Sequence, residues 1–283
     1  MDVHIRDAKG TTMKSTIGFI GLGEMGRHMA WHLLKNDFPV VSCANRRREA
    51  IEALKLEGLQ EVDNPRLVGE RSDILMTVVV DQEQTDQVLR GNDGALAAMR
   101  PGSTIIVMST LAPGYCQELA KVAAAANVIV LDCPISGGPM GAENGTLALI
   151  TGGEEKAVED CRAALESMGS VYHCGDVGMG MVVKLANNAV SIGTSALLTE
   201  VRAMAKAYGM DLPTLMEIFR NGTANSFVAQ NWDALIPMWP HLAPIMVKDM
   251  KLCRDAGQGK KVQLPMVETW LETDWPTMKP EDL

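Results

Sequence analysis

A lysine and two asparagines lie within an otherwise apolar segment of the sequence. Lys184, Asn187 and Asn188 occur in the run GMGMVVKLANNAV, residues 178–190. In a helix, side chains four positions apart lie one above the other, so Lys184 and Asn188 share a face. An amine can donate a proton to a carbonyl oxygen, and an amide can orient the amine or hold a hydroxyl group. The pair predicts acid–base chemistry in a polar cleft. The alternative is an exposed lysine at the beginning of a helix.

The same segment raises the question of a membrane-spanning helix. Residues 178–199 are nearly free of charge and about as long as a helix that crosses a bilayer. Lys184 near the middle would cost roughly 2.5 to 3.5 kcal/mol on insertion, and the sequence has no second segment of this kind. A helix buried between two soluble domains explains the same residues, so we expect no membrane partner.

A glycine-rich loop near the N-terminus is a second candidate site. Its residues are Gly21, Leu22, Gly23, Glu24, Met25 and Gly26, and its glycines follow the pattern G-x-G-x-x-G. The loop comes directly after a predicted strand and opens a predicted helix. In this context the glycines permit a tight turn, the close approach of a pyrophosphate and close packing of helix on strand. The loop is therefore predicted to bind a dinucleotide at the helix N-terminus.

The end of the second predicted strand indicates which dinucleotide is preferred. An acidic side chain at this position hydrogen-bonds the ribose of NAD, whereas this sequence has Asn45, Arg46 and Arg47. A guanidinium group binds a 2′-phosphate through charge-assisted hydrogen bonds, and a carboxylate would repel it. We therefore expect NADP in preference to NAD. The alternative is a solvated basic turn at the beginning of a helix.

A glycine-rich stretch after a later strand predicts a substrate site. Residues 132–153 read DCPISGGPMGAENGTLALITGG. Ser136, Gly137 and Gly138 offer a hydroxyl group and unobstructed backbone N–H groups, which together can bind a carboxylate. We therefore expect a small, carboxylate-bearing substrate. A wide turn followed by a hairpin would also account for several glycines of this stretch.

Alternating strand and helix patterns would position these residues. The predicted strands are 16–20, 39–44, 73–80, 103–108, 127–132, 147–151 and 170–174, and the predicted helices of this half are 25–36, 81–90, 115–126 and 155–168. Such alternation is typical of a mostly parallel sheet with helices on both faces. After residue 175 only helical patterns remain. We predict an α/β Rossmann-like domain at 15–177 and an all-α domain at 178–283, joined by a long helix.

Composition and spacing exclude several classes of partner. The net charge of -9 gives no basic surface for nucleic acid. The six cysteines are scattered singly, which is typical of free thiols in a reducing compartment, and the N-terminus lacks the apolar core of a signal peptide. We therefore expect a cytoplasmic protein. His28 and His32 are spaced like metal ligands, but no third ligand accompanies them in the sequence, so no metal is expected.

Five segments together resemble the β-hydroxyacid dehydrogenase family. They are GFIGLGEMG (18–26), MST (108–110), DCPISGGPMGAENGTL (132–147), GDVGMGMVVKLANN (175–188) and KDMKL (248–252). The resemblance extends from about Ile17 to about Pro265. Two departures are Val79-Val80-Asp81 in place of the family's Met-Leu-Pro and Val107 in place of an aspartate.

The resemblance implies an active site between the two domains. The matching residues are Lys184 for the catalytic lysine, Asn188 for its partner, Ser136, Gly137 and Gly138 for the substrate-carboxylate loop, Thr110 near the nicotinamide and Lys248 closing over the cofactor. Val79 and Val80 are expected to contact the cofactor as well. Because family members are commonly dimers or tetramers with shared helical domains, we expect a homodimer or homotetramer.

The residues and the resemblance together predict an activity. We expect an NADP(H)-dependent oxidoreductase that interconverts a small 3-hydroxy acid, similar to 3-hydroxyisobutyrate, and its semialdehyde or keto acid. Lys184 would serve as the general acid and base. Three alternatives remain: a reductase of glyoxylate or succinic semialdehyde, an imine reductase on a related fold, and a non-catalytic NADP-binding scaffold.

Overall fold

A six-stranded parallel sheet forms the centre of the first half of the chain. The computed structural model describes residues 14–44 and 48–274. The strands are β1 (Ile17–Ile20), β2 (Val40–Cys43), β3 (Gln60–Val62), β4 (Ile74–Thr77), β5 (Thr104–Val107) and β6 (Ile129–Asp132). Their order is β3-β2-β1-β4-β5-β6, and every neighbouring pair is parallel. This is the order of dinucleotide-binding sheets, in which ligands bind beyond the carboxyl ends of the strands. The predicted Rossmann-like fold is confirmed.

Helices cover both faces of this sheet. They are α1 (Gly26–Lys35), α2 (Glu49–Lys55), α3 (Pro65–Arg71), α4 (Gln82–Arg90), α5 (Pro113–Ala124), α6 (Gly138–Asn144) and α7 (Glu155–Glu166). Along β5, Ile106 belongs to one apolar cluster, whereas Ile105 and Val107 belong to another. Successive side chains of a strand point to opposite faces, so β5 is buried on both sides. This burial explains the continuous apolar runs that predicted the strands.

A smaller sheet follows β6. Its strands are β7 (Ile135–Ser136), β8 (Leu147–Thr151) and β9 (Gly169–His173); β7 pairs with β8 antiparallel, and β8 pairs with β9 parallel. The helix α6 lies between β7 and β8 in the chain, so the wide turn considered for this stretch contains a helical segment. A backbone bridge between Asp132 and Gly152 connects the end of β6 to the residue after β8.

The described part of the C-terminal half is helical, as predicted. Its helices are α8 (Met179–Ala207), α9 (Leu212–Asn221), α10 (Phe227–Leu235), α11 (Trp239–Gly259) and α12 (Pro265–Leu271). The chain divides into two compact units, Met1–Lys184 and Leu185–Leu283. This division falls inside α8, whereas the predicted boundary between residues 177 and 178 precedes α8 and stays a prediction. Within the second unit, one apolar cluster contains Trp239 and Trp270, and another contains Trp232.

The long helix α8 is the one described helix that is long and apolar enough to cross a membrane by length and composition. A single helix of this kind is weak evidence for a membrane span, because core helices of globular proteins pass the same test. Four positions of its first turns differ sharply in exposure. Val182 and Val183 are about two-fifths exposed, whereas Met181 and Lys184 are buried.

Candidate active site

The turn between β1 and α1 has the conformation that its glycines predict. Gly21 adopts a φ of 109°, and a Cβ there would overlap the carbonyl oxygen of Val78. A Cβ on Gly26 would overlap the carbonyl oxygen of Gly21. A Cβ on Gly23, in contrast, would have no described atom within 4 Å. Packing within the chain therefore explains the first and third glycines. For Gly23 the close approach of a pyrophosphate stays the predicted reason.

The beginning of α1 is suited to an anion. In the part of the chain that the structure describes, no side chain caps this helix, and its first turn holds no acidic residue. The helices α3 and α4, in contrast, are capped by the side chains of Asn64 and Asp81. The N–H groups and the dipole at an uncapped N-terminus attract a phosphate. Leu22 and Met25 pack partly against the core, and Glu24 is exposed. The loop therefore fits the pyrophosphate of a dinucleotide.

The residues that predict the choice between NADP and NAD follow β2. Asn45, Arg46 and Arg47 lie outside the described residues. The next residue, Arg48, is described, and its guanidinium lies 2.5 Å from the carboxylate of Glu52 and 2.9 Å from that of Glu61. These ion pairs hold Arg48 on the surface of α2 and β3. Any arginine contact with a 2′-phosphate is therefore expected from the two preceding positions.

The ends of β4 and β5 are fastened to each other. The N–H of Val79 donates a hydrogen bond to Oγ of Ser109 at 3.1 Å, and this hydroxyl donates to the carbonyl oxygen of Val79 at 2.7 Å. Val80 is exposed, and Thr110 is half-buried. Asp81 accepts a hydrogen bond from the N–H of Gln84 and so begins α4. The departure from Met-Leu-Pro therefore replaces a proline by a helix cap. The sequence did not single out Ser109, although it lies within the MST segment.

The predicted carboxylate loop lies between β7 and α6. Ser136 ends β7 and is half-buried, whereas Gly137 and Gly138 are exposed. Both glycines have positive φ values, 126° and 63°. An L-residue rarely adopts such values, so backbone geometry alone requires glycine at these two positions. Binding of a carboxylate by the Ser136 hydroxyl and the two N–H groups stays a prediction.

Lys184 is buried, with 9% of its surface exposed, in the second turn of α8. Its apolar neighbours Val182 and Val183 are 41% and 39% exposed. The charged lysine is thus more buried than the two apolar valines before it, which is the reverse of the usual order. A surface lysine would keep its ammonium group in water. An amine shielded from water is the kind of group that exchanges protons with a substrate. The surface-lysine alternative is contradicted by this burial, while the catalytic role stays a prediction.

Two of the predicted residues in the second unit share one buried carboxylate. The side-chain amide of Asn188 donates a hydrogen bond of 2.6 Å to Oδ2 of Asp249. The ammonium group of Lys248 lies 3.0 Å from Oδ1 of the same side chain. Asp249 is 3% exposed. Sequence reasoning missed this aspartate, and the available signal was its place in the KDMKL segment, directly before Met250.

Comparisons with known proteins agree with this geometry. A family profile described as "NAD binding domain of 6-phosphogluconate dehydrogenase" matches residues 16–178, and one described as "NAD-binding of NADP-dependent 3-hydroxyisobutyrate dehydrogenase" matches residues 178–273. A 2-(hydroxymethyl)glutarate dehydrogenase of Eubacterium barkeri is 33% identical over 88% of this chain and 85% of its own. An L-threonate dehydrogenase of Cupriavidus necator is 32% identical over 90% and 87%, respectively.

Solved structures give the same result. The structure of 3-hydroxyisobutyrate dehydrogenase of Mycobacterium tuberculosis with L-serine superposes with a TM-score of 0.80 at 26% identity, covering 92% of each chain. Fold, glycine loop and relatives thus define an oxidoreductase of hydroxy acids that uses a nicotinamide cofactor. The chain belongs to the β-hydroxyacid dehydrogenase family.

Proposed function

We propose that this protein interconverts a small 3-hydroxy acid of the 3-hydroxyisobutyrate type and its semialdehyde or keto acid, with NADP(H) as cofactor. The observation that carries the proposal is the burial of Lys184 beside exposed valines on the same helix. A bound nicotinamide accepts or supplies the hydride. In the oxidation direction the amine of Lys184 takes the hydroxyl proton of the substrate, and in the reduction direction its ammonium form returns a proton to the carbonyl oxygen.

The remaining predicted residues bind and orient the substrate in this proposal. The amide of Asn188 is held by Asp249 through its Nδ2, and its oxygen accepts one hydrogen bond from Asn187. The second lone pair of that oxygen can accept a hydrogen bond from a hydroxyl group of the substrate. The hydroxyl of Ser136 and the N–H groups of Gly137 and Gly138 bind the carboxylate. These neutral donors recognise a carboxylate without introducing a further charge beside the lysine.

The preference for NADP(H) rests on Arg46 and Arg47. Support comes from their place in the sequence three and four residues after the end of β2, and from Arg48, whose guanidinium is paired with Glu52 and Glu61. Replacing Arg46 and Arg47 by alanine removes charge-assisted contacts worth about 1.5 to 3 kcal/mol each in general. The KM for NADPH should therefore rise about 100-fold or more, with the KM for NADH nearly unchanged. Arg48→Ala is the matched control and should leave both values as in wild type.

The activity is tested with a panel of substrates, and the absorbance of the reduced nicotinamide measures the turnover of each one. The panel contains 3-hydroxyisobutyrate, L-serine, L-threonate, 2-(hydroxymethyl)glutarate, glyoxylate and succinic semialdehyde. Each is assayed once with NADP(H) and once with NAD(H). We expect the highest kcat/KM with 3-hydroxyisobutyrate and NADP. A preference for glyoxylate or succinic semialdehyde would support the reductase alternative. NADPH binding without turnover of any substrate would support the scaffold alternative.

The lysine mechanism has its own test. Lys184→Ala should lower kcat about 100- to 10,000-fold, the usual contribution of a general acid or base. Lys184→Arg keeps the charge but cannot release a proton at neutral pH, so it should lose similar activity. Binding of NADPH, measured by fluorescence, should remain intact in both variants. A near-wild-type kcat in Lys184→Ala would remove the mechanism.

We further propose that the protein is a homodimer or homotetramer. The second unit exposes apolar side chains along α8: Val190, Leu197 and Met204 are 72%, 60% and 58% exposed and recur at intervals of seven residues. Tyr208, one turn beyond Met204, is 89% exposed. A repeat of seven places these residues on one side of the helix, and such a stripe is typical of a helix that packs on another subunit. A second copy of the chain is the partner that we propose for it.

A further inference from the structure

A buried carboxylate at the end of β6 holds the beginning of α8. Asp132 is 0% exposed. Its Oδ1 accepts a hydrogen bond of 2.6 Å from the N–H of Gly178, and its Oδ2 accepts one of 2.7 Å from the N–H of Met181. Both oxygens of the carboxylate are therefore used on one helix N-terminus, where free N–H groups and the helix dipole stabilise negative charge.

The backbone of Asp132 is fixed as well. Its N–H donates to the carbonyl oxygen of Gly152 at 3.1 Å, and the N–H of Gly152 donates back at 2.7 Å. A Cβ on Gly152 would lie 2.5 Å from Oδ1 of Asp132, and a Cβ on Gly180 would lie 2.9 Å from its Oδ2. Glycine at these two positions lets sheet, carboxylate and helix approach closely. Gly152, which lies in the stretch that a wide turn would explain, and Gly180 in the first turn of α8 thus both have a packing reason.

This cap differs from the other side-chain caps that the structure describes. Asn64, Asp81, Asp211 and Ser226 each accept from the N–H three residues later in the chain. Asp132 instead precedes Gly178 by 46 residues and Met181 by 49. A cap from a residue next to the helix stabilises the helix but does not attach it to another element of the fold. A cap donated by a distant strand also fixes the position of the first turn of the helix relative to that strand.

The fixed turn leads directly to the lysine. Met181 is fully buried, and its sulfur accepts a hydrogen bond of 3.4 Å from the N–H of Leu111. Lys184 follows Met181 by three residues, so the two side chains lie on the same face of α8. Burial raises the pKa of the Asp132 carboxyl, and the N–H groups of Gly178, Met181 and Gly180 act in the opposite direction. Keeping a buried carboxylate here is costly, and those N–H groups offset part of that cost.

We propose that Asp132 is a positioning residue for Lys184: by fastening the first turn of α8 to the end of β6, it fixes where the lysine amine lies. Asp132 itself is fully buried, so we assign it no contact with the substrate. The inference rests on the proposed role of Lys184. A displacement of a catalytic group by about 1 Å can lower turnover about 100-fold, so loosening this turn should act on kcat.

The test is Asp132→Asn, which keeps the shape of the side chain but leaves only one oxygen to accept from the helix. We expect kcat to fall about tenfold to 100-fold, while the KM for NADPH stays within about twofold of wild type. Asp211→Asn, the same substitution at the local cap of α9, is the matched control and should leave kcat unchanged. Equal kcat in wild type and Asp132→Asn would overturn the proposal.

Two further measurements keep the result interpretable. Lys184→Ala is assayed in parallel: if it loses turnover while Asp132→Asn does not, only the positioning role is wrong, and if it keeps turnover, the proposed acid–base role is wrong. Native-state hydrogen exchange of the wild-type protein gives evidence that does not depend on folding of a variant. The amides of Gly178 and Met181 should be protected as strongly as those of β6, and exchange at the rate of a frayed helix end would overturn the proposal.

Discussion

The side-chain amide of Asn188 is hydrogen-bonded to the buried carboxylate of Asp249 at 2.6 Å, although 61 residues separate them in the chain. Because a carboxylate only accepts, this contact assigns Nδ2 of Asn188 to Asp249 and directs the amide oxygen elsewhere. That oxygen accepts from the side chain of Asn187 at 3.2 Å. Asp249 thus sets the orientation of the asparagine that follows Lys184 by one helical turn.

Asp249→Asn should therefore disturb the amide rather than the fold. An asparagine at this position can present its own NH2 to Asn188, so the preferred orientation of Asn188 is lost, and the ion pair with Lys248 is lost as well. We expect the KM for the hydroxy acid to rise about tenfold, which corresponds to about 1.4 kcal/mol. Steady-state kinetics at saturating cofactor measures it.

The matched control for this variant lies on the same helix. Asp255 is more than half exposed and pairs with Arg254 on the surface, so Asp255→Asn should leave the kinetic constants unchanged. An equal effect of both substitutions would mean that the charge of α11, and not the contact with Asn188, controls binding.

The glycine loop allows a prediction that separates packing from ligand binding. Gly21→Ala forces a side chain into a positive φ and against Val78, so the melting temperature should fall. Gly23→Ala meets no described atom within 4 Å and should fold normally, but its methyl group occupies space that the pyrophosphate needs. We expect the Kd for NADPH, measured by fluorescence quenching, to rise about tenfold or more.

Gly114 provides the control for Gly23. A Cβ at Gly114 also has open space around it, within the first turn of α5 and outside the glycine loop. Gly114→Ala should therefore leave both the melting temperature and the Kd for NADPH close to wild type. NADPH binding by Gly23→Ala as tight as that of Gly114→Ala would show that the dinucleotide does not approach Gly23.

The sequence alone predicts those features whose residues are close together in the chain. The loop from Gly21 to Gly26 and the pair Lys184 and Asn188 are recognisable because their spacing matches one turn or one helix face. β3 was missed because its three residues begin with Gln60 and Glu61, which show no apolar pattern. The helices α2, α3, α6 and α12 have seven residues each, too few for a clear period.

The contacts that position the site are of another kind. Asp132 reaches Gly178 and Asp249 reaches Asn188 across many tens of residues, and nothing in the local pattern pairs them. An aspartate at the end of an apolar strand signals only that a buried carboxylate needs partners. Those partners can be identified only when the fold is known, because the order of the strands in the sheet decides which residues lie beside the end of each strand.

The cysteines give a prediction about reactivity. Burial raises the pKa of the Cys43 thiol to about 11 and those of Cys133 and Cys161 to about 12. The thiolate is the reactive form, so a raised pKa means less reaction at neutral pH and a rate that increases as the pH rises toward these values. Iodoacetamide at pH 7.5 should modify these three residues slowly in the native protein and rapidly in guanidinium chloride. Mass spectrometry after timed quenching measures both rates, and fast native alkylation of Cys133 would contradict the burial of its thiol.

The exposed apolar stripe on α8, formed by Val190, Leu197 and Met204, predicts that one added charge should weaken the association of two copies of the chain. If Leu197 packs against a second copy, Leu197→Glu places a carboxylate in an apolar interface, where its desolvation is costly. We expect wild-type protein to sediment as a dimer or tetramer and Leu197→Glu to dissociate at micromolar concentration. Leu56→Glu is the control, because Leu56 is 90% exposed at the end of α2 and lies outside the stripe. A monomeric wild-type protein, or equal assembly of the two variants, would contradict an interface along α8.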